Sequence, residues 1–197
     1  MKENPLEDNA REFWKPKPLE KKAVSKKGIN WEPVEPHVPV TRVGGFPSIN
    51  EEKLLSKNWP HFDGKPLPFF AQVAVDDSTI AYVFLDDSVD GSWQAEGGPN
   101  AVLVAGSWVV GDWIKIKPLE SNLESMPLYC DKAFAPDSAL EEPVWLQGDE
   151  TPEGFHFLFQ IPSQVDGGDL INVGDAYGDA YIFISDDNKT GKVLWQS

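Results

Sequence analysis

The chain has 197 residues with eight Trp, eleven Phe and a single Cys; 25% of residues are charged and the formal net charge is −15 at pH 7. This aromatic content excludes a wholly disordered chain, and the lone Cys130 excludes an internal disulfide framework or a cysteine-built zinc site. The acidity disfavours nucleic acid and anionic lipid as partners and favours a basic protein.

The charge is unevenly spread. Residues 1–30 hold eight of the seventeen basic residues and five of the thirty-two acids, a net of +3, which leaves nine basic and twenty-seven acidic residues, a net of −18, on the remainder. No stretch approaches eighteen consecutive apolar residues, and "MKENPLEDNAREFW" lacks the apolar run and small-residue cleavage site of a secretory signal, so a cytoplasmic protein is expected.

Residues 1–40 carry "FWKPKPLEKK" and "WEPVEPHVPV". Proline fixes φ and removes a backbone donor, so these segments predict an extended Pro/Lys-rich arm, pinned to the body by Trp14 and Trp31. Residues 41–197 then form one domain. "SINEEKLLSKNWP" offers Ser48 or Asn50 as a cap and Pro60 as a stop, which predicts a two-turn helix over 50–58. After it come "PFFAQVAV", "TIAYVFL", "NAVLVA", "WIKIK", "PVWLQ", "FHFLFQI" and "AYIFI", short β-rich runs bounded by Gly, Pro, Asp or Asn. In "IAYVFL" both alternating sets are apolar, so that strand should be covered on both faces, whereas "WIKIK" alternates Ile with Lys as an edge strand does.

Two of these strands spell nearly the same thing. "AYVFLDDS" at 81–88 matches "AYIFISDD" at 180–187, and upstream Phe69, Gln72 and Val73 align with Phe157, Gln160 and Ile161. Downstream, Gly91 leads to Trp93-Gln94 as Gly191 leads to Trp195-Gln196. A period of about a hundred residues implies two fused copies of one antiparallel β unit, near 41–120 and 140–197, rather than a solenoid. The expected fold is mainly β with minor α.

The acidic loops are the candidates for chemistry. Asp86-x-Ser88-x-Asp90-Gly91 and Asp186-x-Asn188-x-Thr190-Gly191 resemble the first half of a calcium loop, but Gly97 and Ser197 stand where the closing Glu belongs, and hairpin turns need the same residues. In "QVDGGDLINVGDAYGD" the glycines have no Lys for phosphate. Asp86, Asp87, Asp90, Asp166, Asp169, Asp175 and Asp179 are therefore read as a negatively charged docking surface. His37, His61 and His156 lack zinc-binding spacing, and no G-x-S-x-G elbow occurs. His61 and Asp63 could pair to tie down a loop, and His156 reads as a satisfied core or interface residue. Gln72 and Gln160 occupy the same place in the two units, where a buried amide must find backbone partners or face a cleft.

Taken in order, "VGGFP" at 43–47, "NWP" at 58–60, "GKPLPFFAQV" at 64–73, "PVWLQGDETPEGFHFLFQI" at 143–161, "INVGDAYGDAYIFIS" at 171–185 and the terminal "LWQS" resemble the YwqG-like proteins, a bacterial family of unknown function. The resemblance covers residue 40 to the end. It implies a duplicated β-rich fold but no catalytic residues, and Val173 stands where family members often have Trp. It also implies a setting beside secreted toxins. The expectation is a non-enzymatic acidic protein without catalytic, metal or cofactor residues, acting as an immunity protein on a basic toxin domain such as a nuclease. The alternative is a small-ligand or carbohydrate-binding module with a Trp-lined cleft between the units.

Overall fold

The computed structural model describes residues 17–25, 28–36, 38–48, 58–86, 88, 94, 98–105, 127–162 and 178–197. The protein is mainly β. Its strands are β1 (Lys21–Lys22), β2 (Trp31–Val34), β3 (Arg42–Gly44), β4 (His61–Phe62), β5 (Lys65–Pro66), β6 (Phe69–Asp76), β7 (Thr79–Leu85), β8 (Asn100–Ala105), β9 (Ala133–Pro136), β10 (Ala139–Leu140), β11 (Phe155–Pro162), β12 (Asp179–Ser185) and β13 (Gly191–Gln196). The helix expected over 50–58 lies outside the described residues but for Asn58, and the "WIKIK" strand lies wholly outside them.

Among the described residues nine strands make one sheet in the order β11-β12-β13-β8-β7-β6-β3-β9-β2, and each pairing in it is antiparallel. β2 forms one edge, where Pro33 costs no ladder bond. Residues 31–34, expected in the arm, are thus built into the sheet. Trp31 is buried and packs edge-on against Phe159, as its pinning role requires. The hairpin between β4 and β5 turns at Asp63 and Gly64, both left-handed with φ of 47° and 76°, a geometry that suits an Asp-Gly turn.

The duplication is visible as two meanders, β6-β7-β8 and β11-β12-β13. Gln72 pairs with Tyr82 and Gln160 with Tyr181. Each meander carries a bulge at the same place: the register shifts between Phe69 and Ala71 in one and between Phe157 and Phe159 in the other. The extra residue turns two neighbours to one face, so Phe70 and Ala71, and likewise Leu158 and Phe159, all enter the same core.

The meanders join through β8 and β13, with Gly191 opposite Val102. Carried along antiparallel strands, this register sets Lys192 beside Ala101 and Val193 beside Asn100. Gly191 and Asn100 are equivalent in the two units, as are Val193 and Val102, because they pair with Ile184, Leu85, Ile182 and Val83. The two units are therefore related by a pseudo-twofold axis through the β8–β13 join. The same register corrects the proposed equivalence of Trp93 with Trp195. Trp195 pairs with Ala180, and its counterpart is Val104, opposite Ala81. Trp93 lies outside the described residues.

β7 is buried along its whole length, as its two apolar faces require. Its inward residues Ala81, Val83 and Leu85 join Ala180, Ile182 and Ile184 of β12 in the core shared by both units. On the outer faces, Tyr82 and Phe84 pack with Trp59 and Leu67, while Tyr181 and Phe183 pack with Trp145. Trp59 meets Phe84 edge-on at 4.9 Å, and Trp145 stacks on Tyr181 at 4.7 Å. These two indoles each seal one unit.

Candidate functional site

Residues 143–147, "PVWLQ", alternate as a strand should, yet they form none. Pro143 offers no donor, and the backbone beyond it is held by side chains instead of a ladder. The Gln160 amide accepts from the Val144 N–H at 2.8 Å and donates to its carbonyl oxygen at 3.1 Å. The Tyr181 hydroxyl donates to the same carbonyl at 2.9 Å and accepts from the Leu146 N–H at 3.2 Å. Gln196 accepts from the Leu146 and Gln147 N–H groups and donates to the Gly148 carbonyl at 2.8 Å. Gln160, Tyr181 and Gln196 are almost wholly buried. Burial, with the Asp179 carboxylate nearby, pushes the Tyr181 hydroxyl up to about 12.

The first unit uses the same pair differently. Gln72 accepts from the Ser48 N–H at 2.9 Å and donates to the Val40 carbonyl at 2.9 Å, and Tyr82 donates to the Ser48 carbonyl at 2.7 Å. Arg42, fully buried, donates to the carbonyls of Val38, Gly44 and Phe46, the Ser48 hydroxyl and the Gln72 amide oxygen. Both glutamines are therefore satisfied by backbone and do not face a cleft.

The clamp on 144–148 shapes a surface. With Trp145 turned inward, Val144 and Leu146 point out, each 42% exposed. They are the large hydrophobic residues left exposed among the described residues. Glu141, Glu142, Asp149, Glu150 and Glu153 flank them in the chain and are all exposed. Asp149 accepts from the Thr151 N–H and hydroxyl, which hold its carboxyl below the ordinary range. No Lys or Arg stands between Lys132 and Lys189. The strap is a fixed acidic surface with an apolar centre. In the sequence it is overshadowed by the aspartate loops; the exposed Val and Leu beside an inward Trp, in a stretch without cations, were the signal for it.

The proposed docking aspartates fare unevenly. Asp86 sits half-buried at the end of β7, its carboxylate accepting from the Ser88 N–H and hydroxyl. Asp179 is fully buried and accepts from the Gln160 amide at 2.5 Å, so it is not part of the surface. Asp87, Asp90, Asp166, Asp169 and Asp175 lie outside the described residues, as does His37. His61 donates from Nδ1 to the Trp59 carbonyl at 2.7 Å rather than pairing with Asp63. His156 is exposed, not a core residue, with Nδ1 3.5 Å from Asp186. Residues 186–190 form the β12–β13 turn: Asp187 bonds the Lys189 ammonium at 2.9 Å, and Asn188 is left-handed at φ 56°. Among the described residues no group of three or more His, Cys, Asp or Glu is placed to hold a metal ion, and no helix is long and apolar enough to cross a membrane. Cys130 is half-buried against the shared core.

Compared with protein-family models, curated proteins and solved structures, the chain matches none.

Proposed function

We propose that this protein is a non-enzymatic binding protein that takes a basic protein partner on the strap 141–153, in the manner of an immunity protein occluding a basic toxin domain such as a nuclease. The supporting observation is the strap itself: an apolar centre at Val144 and Leu146, flanked by five exposed acids, on a backbone fixed by buried Gln160, Tyr181 and Gln196. Interfaces bury an apolar centre inside a polar rim, and a preorganised backbone lowers the cost of binding. A like-signed rim steers an oppositely charged partner and opposes acidic ones. The surface supports a basic protein partner; that the partner is a toxin domain is what the YwqG-like resemblance implies.

The test is a pull-down from the source cell extract at low and high salt, with the wild type beside Val144→Asp and the double substitution Glu150→Lys/Glu153→Lys. A basic protein retained by the wild type at low salt, weakened by salt and lost with either variant, is the expected result. A partner retained equally by all three proteins would exclude the strap as the docking surface.

A further inference from the structure

Where the second unit approaches the first, a cavity of about 230 Å³ lies beside β6 and β11. Its apolar lining comes from Val73 and Val75 of one unit and Leu158 and Phe159 of the other. Leu19 and Lys21, from the N-terminal segment, also line it, with Thr41, His156 and Asn188 adding polar groups. Among the described residues no Trp lines this cavity.

Lys21 is unusual for so acidic a protein. Its ammonium donates to the Phe157 carbonyl at 3.2 Å and lies 5.6 Å from the Phe157 ring centroid. Among the described residues it meets no carboxylate within 4 Å, whereas Lys22 reaches Glu20 at 3.7 Å and Lys189 reaches Asp187 at 2.9 Å. An ammonium carries three donors, so two remain for a ligand. Lys21 is an exposed residue, but the groups packed around its ammonium partly desolvate it and lower its pKa, a cost that an anion beside it would offset.

The rest of the wall narrows the anion. Asp76 also lines the cavity, its carboxylate fixed by the Ser78 N–H and hydroxyl at 2.7 and 2.9 Å. With a net charge of −15 around it, this carboxylate disfavours phosphates and polycarboxylates. At roughly 30 Å³ for each water-sized group, the volume admits a ligand of about eight heavy atoms. We propose that the cavity binds a small aliphatic monocarboxylate, its carboxylate on Lys21 Nζ and its tail on Val73, Val75, Leu158 and Phe159. A short-chain acid and an aliphatic amino acid share this chemistry. This site is independent of the strap.

The experiment is calorimetric titration of the full chain with isovalerate, leucine and isopentylamine. Saturable binding of a carboxylate, with none of the amine, is expected. Tighter leucine binding assigns the amino acid, whose ammonium Asp76 would accept; tighter isovalerate assigns the free acid. Lys21→Met should weaken binding tenfold or more, as loss of a charged hydrogen bond does. Lys22→Met should leave it within about twofold, since that ammonium pairs with Glu20. Val75→Phe, which fills the cavity and keeps Lys21, should abolish it. The proposal fails if neither carboxylate gives saturable heat by about 10 mM, well above a millimolar Kd. It fails equally if the amine binds as well, or if Lys21→Met binds like the wild type.

Discussion

Gln160 and Tyr181 face each other across β11 and β12 and both hold the peptide of Val144: the amide brackets its N–H and carbonyl, and the hydroxyl meets the same carbonyl. Removing the amide strands the part-buried Val144 N–H and one side of the buried Asp179 carboxylate, while Tyr181 still meets the carbonyl, so Gln160→Leu should cost about 3 kcal/mol and Tyr181→Phe about 1 kcal/mol. Because either group alone keeps that carbonyl bonded, the double variant should lose more than the sum. Urea denaturation of the three proteins measures this, and strict additivity would mean that the two grips are independent.

Arg42 is a buried cation whose acceptors are all neutral among the described residues. Its planar fork serves five acceptors at once, more than the three donors of an ammonium can meet. Arg42→Lys should therefore destabilise nearly as much as Arg42→Met, on the order of 4 kcal/mol, with the carbonyls of Gly44 and Phe46 losing this donor and that of Val38 left to Gln72. Thermal unfolding would show it; a Lys variant within about 1 kcal/mol of wild type would reduce Arg42 to a simple charge.

Gly178 lies so close to the Trp195 indole that a Cβ there would overlap the ring. Gly178→Ala should displace the indole, cost about 1–2 kcal/mol and change the tryptophan emission. A Cβ on Gly64 would meet nothing within 4 Å, but the residue sits at φ +76°, so Gly64→Ala should cost about 1 kcal/mol through backbone strain and leave the emission unchanged.

The Lys189 ammonium, the Ser185 hydroxyl and the Lys189 N–H bond the Asp187 carboxyl and bring it down to about 2 from an ordinary value of 3.8. A carboxyl depressed in the folded state contributes stability that is fully present above about pH 4 and is lost as pH falls through 2. A carboxyl-detected NMR titration should place the Asp187 midpoint near 2, and Lys189→Ala should move it up towards the ordinary value. An unmoved midpoint would assign the shift to the Ser185 hydroxyl and the backbone N–H of residue 189.

β6, β7, β8, β11 and β12 were legible in the sequence because each is a short β-rich run between turn residues, and because the chain writes two of them twice. The strap was misread for the same reason: Val144, Trp145 and Leu146 alternate like a strand, and only the side chains of Gln160, Tyr181 and Gln196, distant in sequence, decide that their backbone bonds elsewhere. The twin glutamines were visible as a repeat, but not what they grip. Trp93 and Trp195 share a Gly-to-Trp-Gln pattern that three-dimensional register overrides, whereas Trp59 and Trp145, which do correspond in role, sit in unlike sequences. Asp179 looked like any loop aspartate, since its burial depends on Gln160 across the ladder.

The β8–β13 join is the arrangement found when two identical subunits meet edge to edge in an isologous dimer. Split between its meanders, the protein would become two fragments, each with an open hydrogen-bonding edge that templates pairing with another chain. Covalent linkage replaces that intermolecular encounter with a local one at high effective concentration. It also frees the two halves to diverge, so that one carries Arg42 where the sheet continues into β3, and the other carries the acidic strap.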